Sequence, residues 1–190
     1  MYIFGYGSLV NINSAQKSFK RELKDKDFIP VVLNGYKKSW NSIEYIVFEG
    51  EDKISNGVFL NLTKCENSKT VGVLLEITKQ EFEFLKLREK NYSCIELFSK
   101  NIDGFNSDQK IYTFVTTNKR KIANIGQKDC VIPKKYIDLL ENGLSIYSED
   151  FRKKFINSYS NFPFKIKEGR YSFSDPIQNK YAKDGFKNEG

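Results

Sequence analysis

Two places in this chain combine residue types and spacing suited to chemistry. The first is Gly5-Tyr6-Gly7-Ser8-Leu9, which follows the apolar run Tyr2-Ile3-Phe4. Glycines on either side of a tyrosine, with a serine next, form a tight loop whose backbone can come close to a ligand. The N–H groups of Gly7, Ser8 and Leu9 would then make a nest for a carboxylate or a developing oxyanion. The same residues also read as a plain strand-to-helix turn. The Gly5-x-Gly7 spacing lacks the third glycine and the βαβ unit of a dinucleotide fingerprint, and no Gly-Lys-Ser/Thr phosphate loop is present.

The second place is Glu89. It continues an apolar helical stripe through Phe82 and Leu85, at a helix end where the dipole disfavours negative charge. A carboxylate there either pairs with Arg88 or Lys90, or is partly buried with a raised pKa and serves as a general base. The chain has no histidine at all. That removes Ser-His-Asp and Cys-His nucleophile activation, histidine-ligated zinc and a histidine base. Acid–base chemistry must come from a carboxylate, lysine, tyrosine or cysteine. Cys65, Cys94 and Cys130 are odd in number and far apart, so neither a disulfide framework nor a thiolate metal site is indicated. Cys94 falls in an expected strand, Cys65 and Cys130 in expected turns. Tyr6, Tyr36, Tyr92 and Tyr136 read first as packing residues, although a hydroxyl can orient a carboxylate.

The elements that must position these groups follow from periodicity. Residues 2–4, 28–33, 57–62, 71–77, 92–98 and 110–117 read as strands, with polar turns at 50–56 and 101–109. Asn13 or Ser14 is expected to cap a first helix carrying Ala15, Phe19 and Leu23. Thr78 and Glu81 form a capping box for a helix running to about Lys90, with Lys79, Glu83, Lys86 and Lys90 on its solvated face. Pro133 starts a helix with Tyr136, Ile137 and Leu140 on one side, closed by Gly143. Ser148 caps another, with Phe151, Phe155, Ile156 and Tyr159 inward. Six strands and three or four helices, segregated instead of alternating, predict an α+β fold. Residues 160–190 read as an extension wrapping the domain, with a frayed end.

At 190 residues, one core is expected, and 15% aromatic content compensates for a modest 39% hydrophobic fraction. The net charge of +7 comes from basic residues mixed among acidic ones, which suits a solvated surface better than nucleic-acid binding. No apolar run is long enough to cross a membrane and no signal pattern opens the chain, so a reduced, cytoplasmic protein is expected.

The segment Ile3-Phe4-Gly5-Tyr6-Gly7-Ser8-Leu9 resembles the opening Tyr-Gly-Ser loop of the γ-glutamylcyclotransferase-like superfamily, which includes γ-glutamylcyclotransferase, the ChaC enzymes and γ-glutamylamine cyclotransferase. Four further features come in the family's order. Leu33-Asn34-Gly35-Tyr36 is similar to its Leu-x-Gly-Tyr strand, and residues 71–78 to the strand before its catalytic helix. Leu85-Lys86-Leu87-Arg88-Glu89-Lys90-Asn91-Tyr92 resembles the ChaC-type Arg-Glu-Lys segment, and Pro133-Lys134-Lys135-Tyr136 with Gly143 resembles the C-terminal helical pair. The likeness covers residues 1–159.

The resemblance implies a small mixed β-barrel flanked by helices. It also implies release of 5-oxoproline from a small γ-glutamyl peptide or amine, by attack of the substrate's α-amine on its own γ-carbonyl. Glu89 would be the general base, the loop Ile3 to Leu9 the substrate cradle, and Tyr136 a substrate contact. No metal, cofactor, nucleic acid or membrane is called for, and the tail could cover the pocket or mediate a homodimer. A binding member of the same fold without turnover is the second reading, and a basic-aromatic nucleic-acid binder the third. The leaving group is left open, its selection expected in an outer pocket shaped by the Trp40 region, Tyr92, the 101–109 hairpin and the tail.

Overall fold

In the computed structural model, residues 1–183 are described. The apolar opening Tyr2–Gly5 (β1) lies inside the sheet and not at its edge. Its neighbours are two strands far longer than the sequence suggests: Ile29–Phe48 (β2) and Ile54–Glu76 (β3), which pair antiparallel as one long hairpin. The expected strands at 57–62 and 71–77 are thus the two ends of β3, and 28–33 is the start of β2. The polar residues between them read as breakers, but they sit on a strand pair whose side chains face solvent there. Register shifts at Asn34/Tyr36 and Trp40/Ser42 bulge and bend the hairpin. At the first of these Gly35 has φ +80°, a conformation that side-chain-bearing residues rarely adopt.

Ser93–Leu97 (β4), Ile102–Asp103 (β5) and Ile111–Val115 (β6) give the order β4-β6-β1-β3-β2-β5. The sheet curls into a half-barrel with helices around it, the expected α+β architecture. Cys130–Pro133 (β7) is a strand that the sequence does not announce, parallel to β3, so Cys130 is buried in the sheet and not in a turn. Cys65 likewise lies within β3.

The first helix, Ile12–Gln16 (α1), is short and is capped by Asn11, whose side chain accepts from the Ser14 N–H; neither Asn13 nor Ser14 caps it. Phe19 and Leu23 lie past its end, yet remain buried. Lys79–Arg88 (α2) opens on the expected capping box: Thr78 Oγ1 accepts from the Glu81 N–H at 3.2 Å, and Glu81 Oε2 accepts from the Thr78 N–H at 2.8 Å. Lys134–Asn142 (α3) has Pro133 as N-cap and Gly143 as C-cap, and Glu149–Asn157 (α4) is capped by Ser148. On α4, Phe151 and Phe155 are buried but Ile156 is outward, 38% exposed.

Beyond residue 160 the chain returns to the sheet. Lys165–Lys167 (β8) extends it parallel to β7, and Tyr171–Phe173 (β9) pairs antiparallel with the 46–48 end of β2. Pro176–Lys183 (α5) then packs against α2. The frayed end expected for the tail lies outside the described residues. Among the described residues no helix is long and apolar enough to cross a membrane.

Candidate active site

The loop after β1 enters a 3-10 turn, Ser8–Val10, whose first internal bond runs from the Val10 N–H to the Gly7 carbonyl at 3.0 Å. The N–H groups of Ser8 and Leu9 precede that bond, so the turn itself gives them no partner. Gly7 stands against Tyr136: a Cβ added there would lie 2.8 Å from the tyrosine hydroxyl. Only a glycine lets backbone and phenol come this close. Tyr136 is carried in from α3, which docks on the loop through Asn11. The Asn11 amide donates to the Leu139 carbonyl at 2.8 Å, and a Cβ on Gly143 would lie 2.6 Å from the Asn11 Cβ.

Glu89 arrives from the other side. It is the C-cap of α2, one position past the helix, with its N–H on the Leu85 carbonyl. The residue that extends the stripe of Phe82 and Leu85 is Arg88, three positions on from Leu85 and 6% exposed. Its guanidinium makes four hydrogen bonds and one ion pair. Nη1 donates to the Ser14 carbonyl (2.7 Å) and Ser18 Oγ (3.0 Å), and Nη2 to Ser8 Oγ and Ser14 Oγ, both at 3.0 Å. Nε faces Glu89 Oε1 at 3.2 Å. A single buried arginine therefore fixes the carboxylate relative to the glycine loop and α1. An arginine at i+3 from a buried leucine was the available sequence signal. Ser8 Oγ, held by a cation, is poorly set up as a nucleophile.

The Glu89 side chain is 16% exposed, and burial raises its pKa, partly opposed by Arg88 and reinforced by the carboxylate of Glu44. Glu44 is itself buried, with Lys121 Nζ at 2.9 Å and the Asn91 amide at 3.2 Å from its Oε2. The tyrosines nearby stay protonated: burial raises Tyr6, Tyr92 and Tyr136 well above the ordinary phenol range. Tyr6 donates to the Phe114 carbonyl at 2.7 Å, a structural bond.

These groups line one cavity of about 60 Å³, formed by Phe4, Gly5, Tyr6, Gly7, Ser8 and Leu9 with Glu89, Tyr92 and Tyr136 among others. Ile3 is fully buried in the core and is not part of its lining. A second cavity of about 120 Å³ adjoins it and shares Ser8, Glu89, Tyr92 and Tyr136. Its far wall is the tail: Tyr171, Phe173, Gln178 and Ala182. Neither Trp40 nor the 101–109 hairpin lines it. Trp40 is a support instead, edge-on to Tyr136 with its Nε1–H on the Tyr159 carbonyl at 2.7 Å. The tail's contribution had a sequence signal in Asp175-Pro176. Asp175 Oδ1 accepts from the N–H groups of Ile177 and Gln178, as an N-cap does.

No family model and no curated protein matches the sequence. Solved structures match it in fold. One is YkqA from Bacillus subtilis, with a TM-score of 0.56 and 22% identity over 86% of this chain. This chain spans about half, 55%, of that structure's length. Another is a gamma-glutamyl cyclotransferase (TM-score 0.52, 13% identity, 95% of this chain and 97% of that one). A third is a yeast gamma-glutamyl cyclotransferase specific to glutathione (TM-score 0.52, 12% identity, 84% and 95%). The chain has the γ-glutamylcyclotransferase-like fold, as the motifs of residues 1–159 implied.

Proposed function

We propose that this chain is a γ-glutamyl cyclotransferase that releases 5-oxoproline from a small γ-glutamyl compound. The observation that carries this reading is the meeting of Glu89, a carboxylate whose pKa burial raises, with the Gly7-Ser8-Leu9 turn and Tyr136 in the lining of one cavity.

The chemistry needs few parts. A substrate α-ammonium has a reference pKa of ~8, within reach of a carboxylate held above its ordinary range. Glu89 takes a proton from it, and the freed lone pair attacks the γ-carbonyl carbon of the same molecule. A five-membered ring closes as the carbonyl electrons move onto oxygen, where the loop amides stabilise the charge. The oxyanion collapses, the bond from the γ-carbon to the amide nitrogen breaks, and protonated Glu89 returns its proton to the departing nitrogen; the second proton that the ring nitrogen sheds as the lactam forms passes to the departing amine by the same carboxylate. In sum two protons pass from the α-nitrogen to the leaving amine, and no water is consumed. Because attack is intramolecular, much of the acceleration comes from folding the substrate into a near-attack conformer. Arg88 limits how far the Glu89 pKa rises and holds the base beside the loop.

In this reading residues 1–159 supply the base and the amide cradle, and the described part of the tail, 160–183, walls the adjoining cavity. Three free cysteines are in keeping with a reducing compartment such as the cytoplasm.

The test is 5-oxoproline release, followed by mass spectrometry, from glutathione, γ-glutamyl-alanine, γ-glutamyl-ε-lysine and a γ-glutamylamine. Release by the native protein and its loss in Glu89→Gln is the expected outcome. A folded native protein that turns over none of the four leaves a binding role on the same fold.

A further inference from the structure

The second cavity has a chemical character of its own. Phe59, Tyr171 and Phe173 form an aromatic corner, with ring centroids of Phe59 at 5.8 Å from Tyr171 and 5.7 Å from Phe173. Its volume of about 120 Å³ approaches the ~150 Å³ of apolar cavities that admit a benzene ring. Of the described residues lining it, Arg88 is the one cation and Glu89 the one anion. Four of the five N–H groups of Arg88 donate to Ser8, Ser14 and Ser18, and the fifth, on Nε, stands 3.2 Å from Glu89 Oε1 as an ion pair, so the guanidinium is already committed. Nearby, Lys17 Nζ is held by the Ala182 carbonyl at 3.0 Å. A carboxylate entering this space would meet no unengaged cation in its lining and would face the charge of Glu89. Desolvating an anion without a partner is strongly unfavourable, whereas an apolar ring gains from burial there.

The wall is built and not draped. β9 is hydrogen-bonded to β2, the Asp175 carboxylate takes Lys90 Nζ at 2.8 Å, and the Asn91 amide donates to Gln178 Oε1 at 2.9 Å. Lys90 and Asn91 directly follow Glu89, so the tail is tied to the segment that carries the base.

From this we infer that the second cavity is the leaving-group subsite and selects an uncharged, apolar or aromatic amine over an amino acid or peptide that carries its own carboxylate, with Phe173 and Tyr171 as specificity-determining residues. The inference rests on the cyclotransferase reading for the reaction, but the shape and charge of the subsite stand apart from turnover.

A matched pair tests it: γ-glutamyl-phenethylamide and γ-glutamyl-phenylalanine, which differ only in the leaving group's carboxylate. Two readouts are taken, kcat/KM for 5-oxoproline release by the native protein and calorimetric binding by Glu89→Gln. We expect the amide to be preferred about tenfold or more in both. In Phe173→Leu, the ratio of phenethylamide to ethylamide turnover should fall. Release of 5-oxoproline with equal or better use of γ-glutamyl-phenylalanine would overturn the subsite and leave the reaction standing. Preferential binding of the phenethylamide without release would overturn the reaction and leave the subsite standing. Neither binding nor release would overturn both.

Discussion

Arg88 and Glu89 are consecutive in the chain and face each other in space, guanidinium Nε 3.2 Å from carboxylate Oε1, with the arginine buried and the glutamate reaching the cavity. The pair occupies the last turn and cap of α2, where a positive charge suits the helix dipole and a negative one does not. Each residue therefore compensates the other. The arginine satisfies three serines of the α1 region and the glycine loop, and the glutamate supplies the counter-charge that a buried guanidinium requires.

Replacing Arg88 by methionine leaves Ser8, Ser14, Ser18 and Glu89 without their common donor. We expect a loss of about 3–5 kcal/mol of stability in urea unfolding, the range for breaking a buried ion pair. Arg88→Lys restores charge but not the planar fork, so it should recover only part of this. The exposed neighbour Leu87 is the control, since Leu87→Ala should change stability by no more than about 0.5 kcal/mol. An Arg88→Met protein as stable as the native one would show that the network carries no net stabilisation.

The pH dependence of activity follows from the charges around Glu89. The base must be unprotonated to accept a proton, so kcat/KM falls as pH drops through its pKa. Burial raises that pKa, and the acid limb should lie above the ordinary carboxylate range. Glu44 raises it further by like charge, so Glu44→Gln should move the limb to lower pH. Arg88 lowers it, so Arg88→Met should move the limb to higher pH. Opposite displacements in profiles of kcat/KM against pH are the expected result. Displacement in one direction for both variants would mean that the limb reports another group.

The features legible in the sequence were the local ones. Thr78 and Glu81 announced the start of α2, Ser148 announced α4, and the glycine loop was visible as an oddity of composition; the phase that singled out Glu89 belongs to Arg88, which continues the buried stripe, with Glu89 as the cap beside it. What the sequence obscured depends on long-range pairing. Gly35 and the polar stretch after it look like the end of a strand, but a bulge absorbs them and β2 continues because β3 pairs alongside. Strand β7 carries only Cys130-Val131-Ile132-Pro133, too short a pattern to register without its partners. The tail reads as polar because β8, β9 and α5 each expose one side, and its role as cavity wall follows from where β2 and α2 stand. The Trp40 region, expected to shape the outer pocket, supports Tyr136 from behind instead of lining either cavity.

The contact between Gly7 and Tyr136 gives the sharpest steric test. A methyl group at Gly7 would sit 2.8 Å from the Tyr136 hydroxyl, so Gly7→Ala must displace either the loop or the phenol. Overpacking of this kind costs about 1–3 kcal/mol, and displacement of the loop amides should lower kcat/KM as well. Tyr136→Phe removes the obstructing oxygen and leaves room for the methyl. The double variant should therefore be more stable than the sum of the single effects by at least ~0.5 kcal/mol. Stability should recover in the double variant without full recovery of activity, because the hydroxyl that stands beside Gly7 in the cavity lining is gone. Additive stabilities, within about 0.3–0.5 kcal/mol, would mean that the loop relaxes away from Tyr136 and that the two do not share one tight contact.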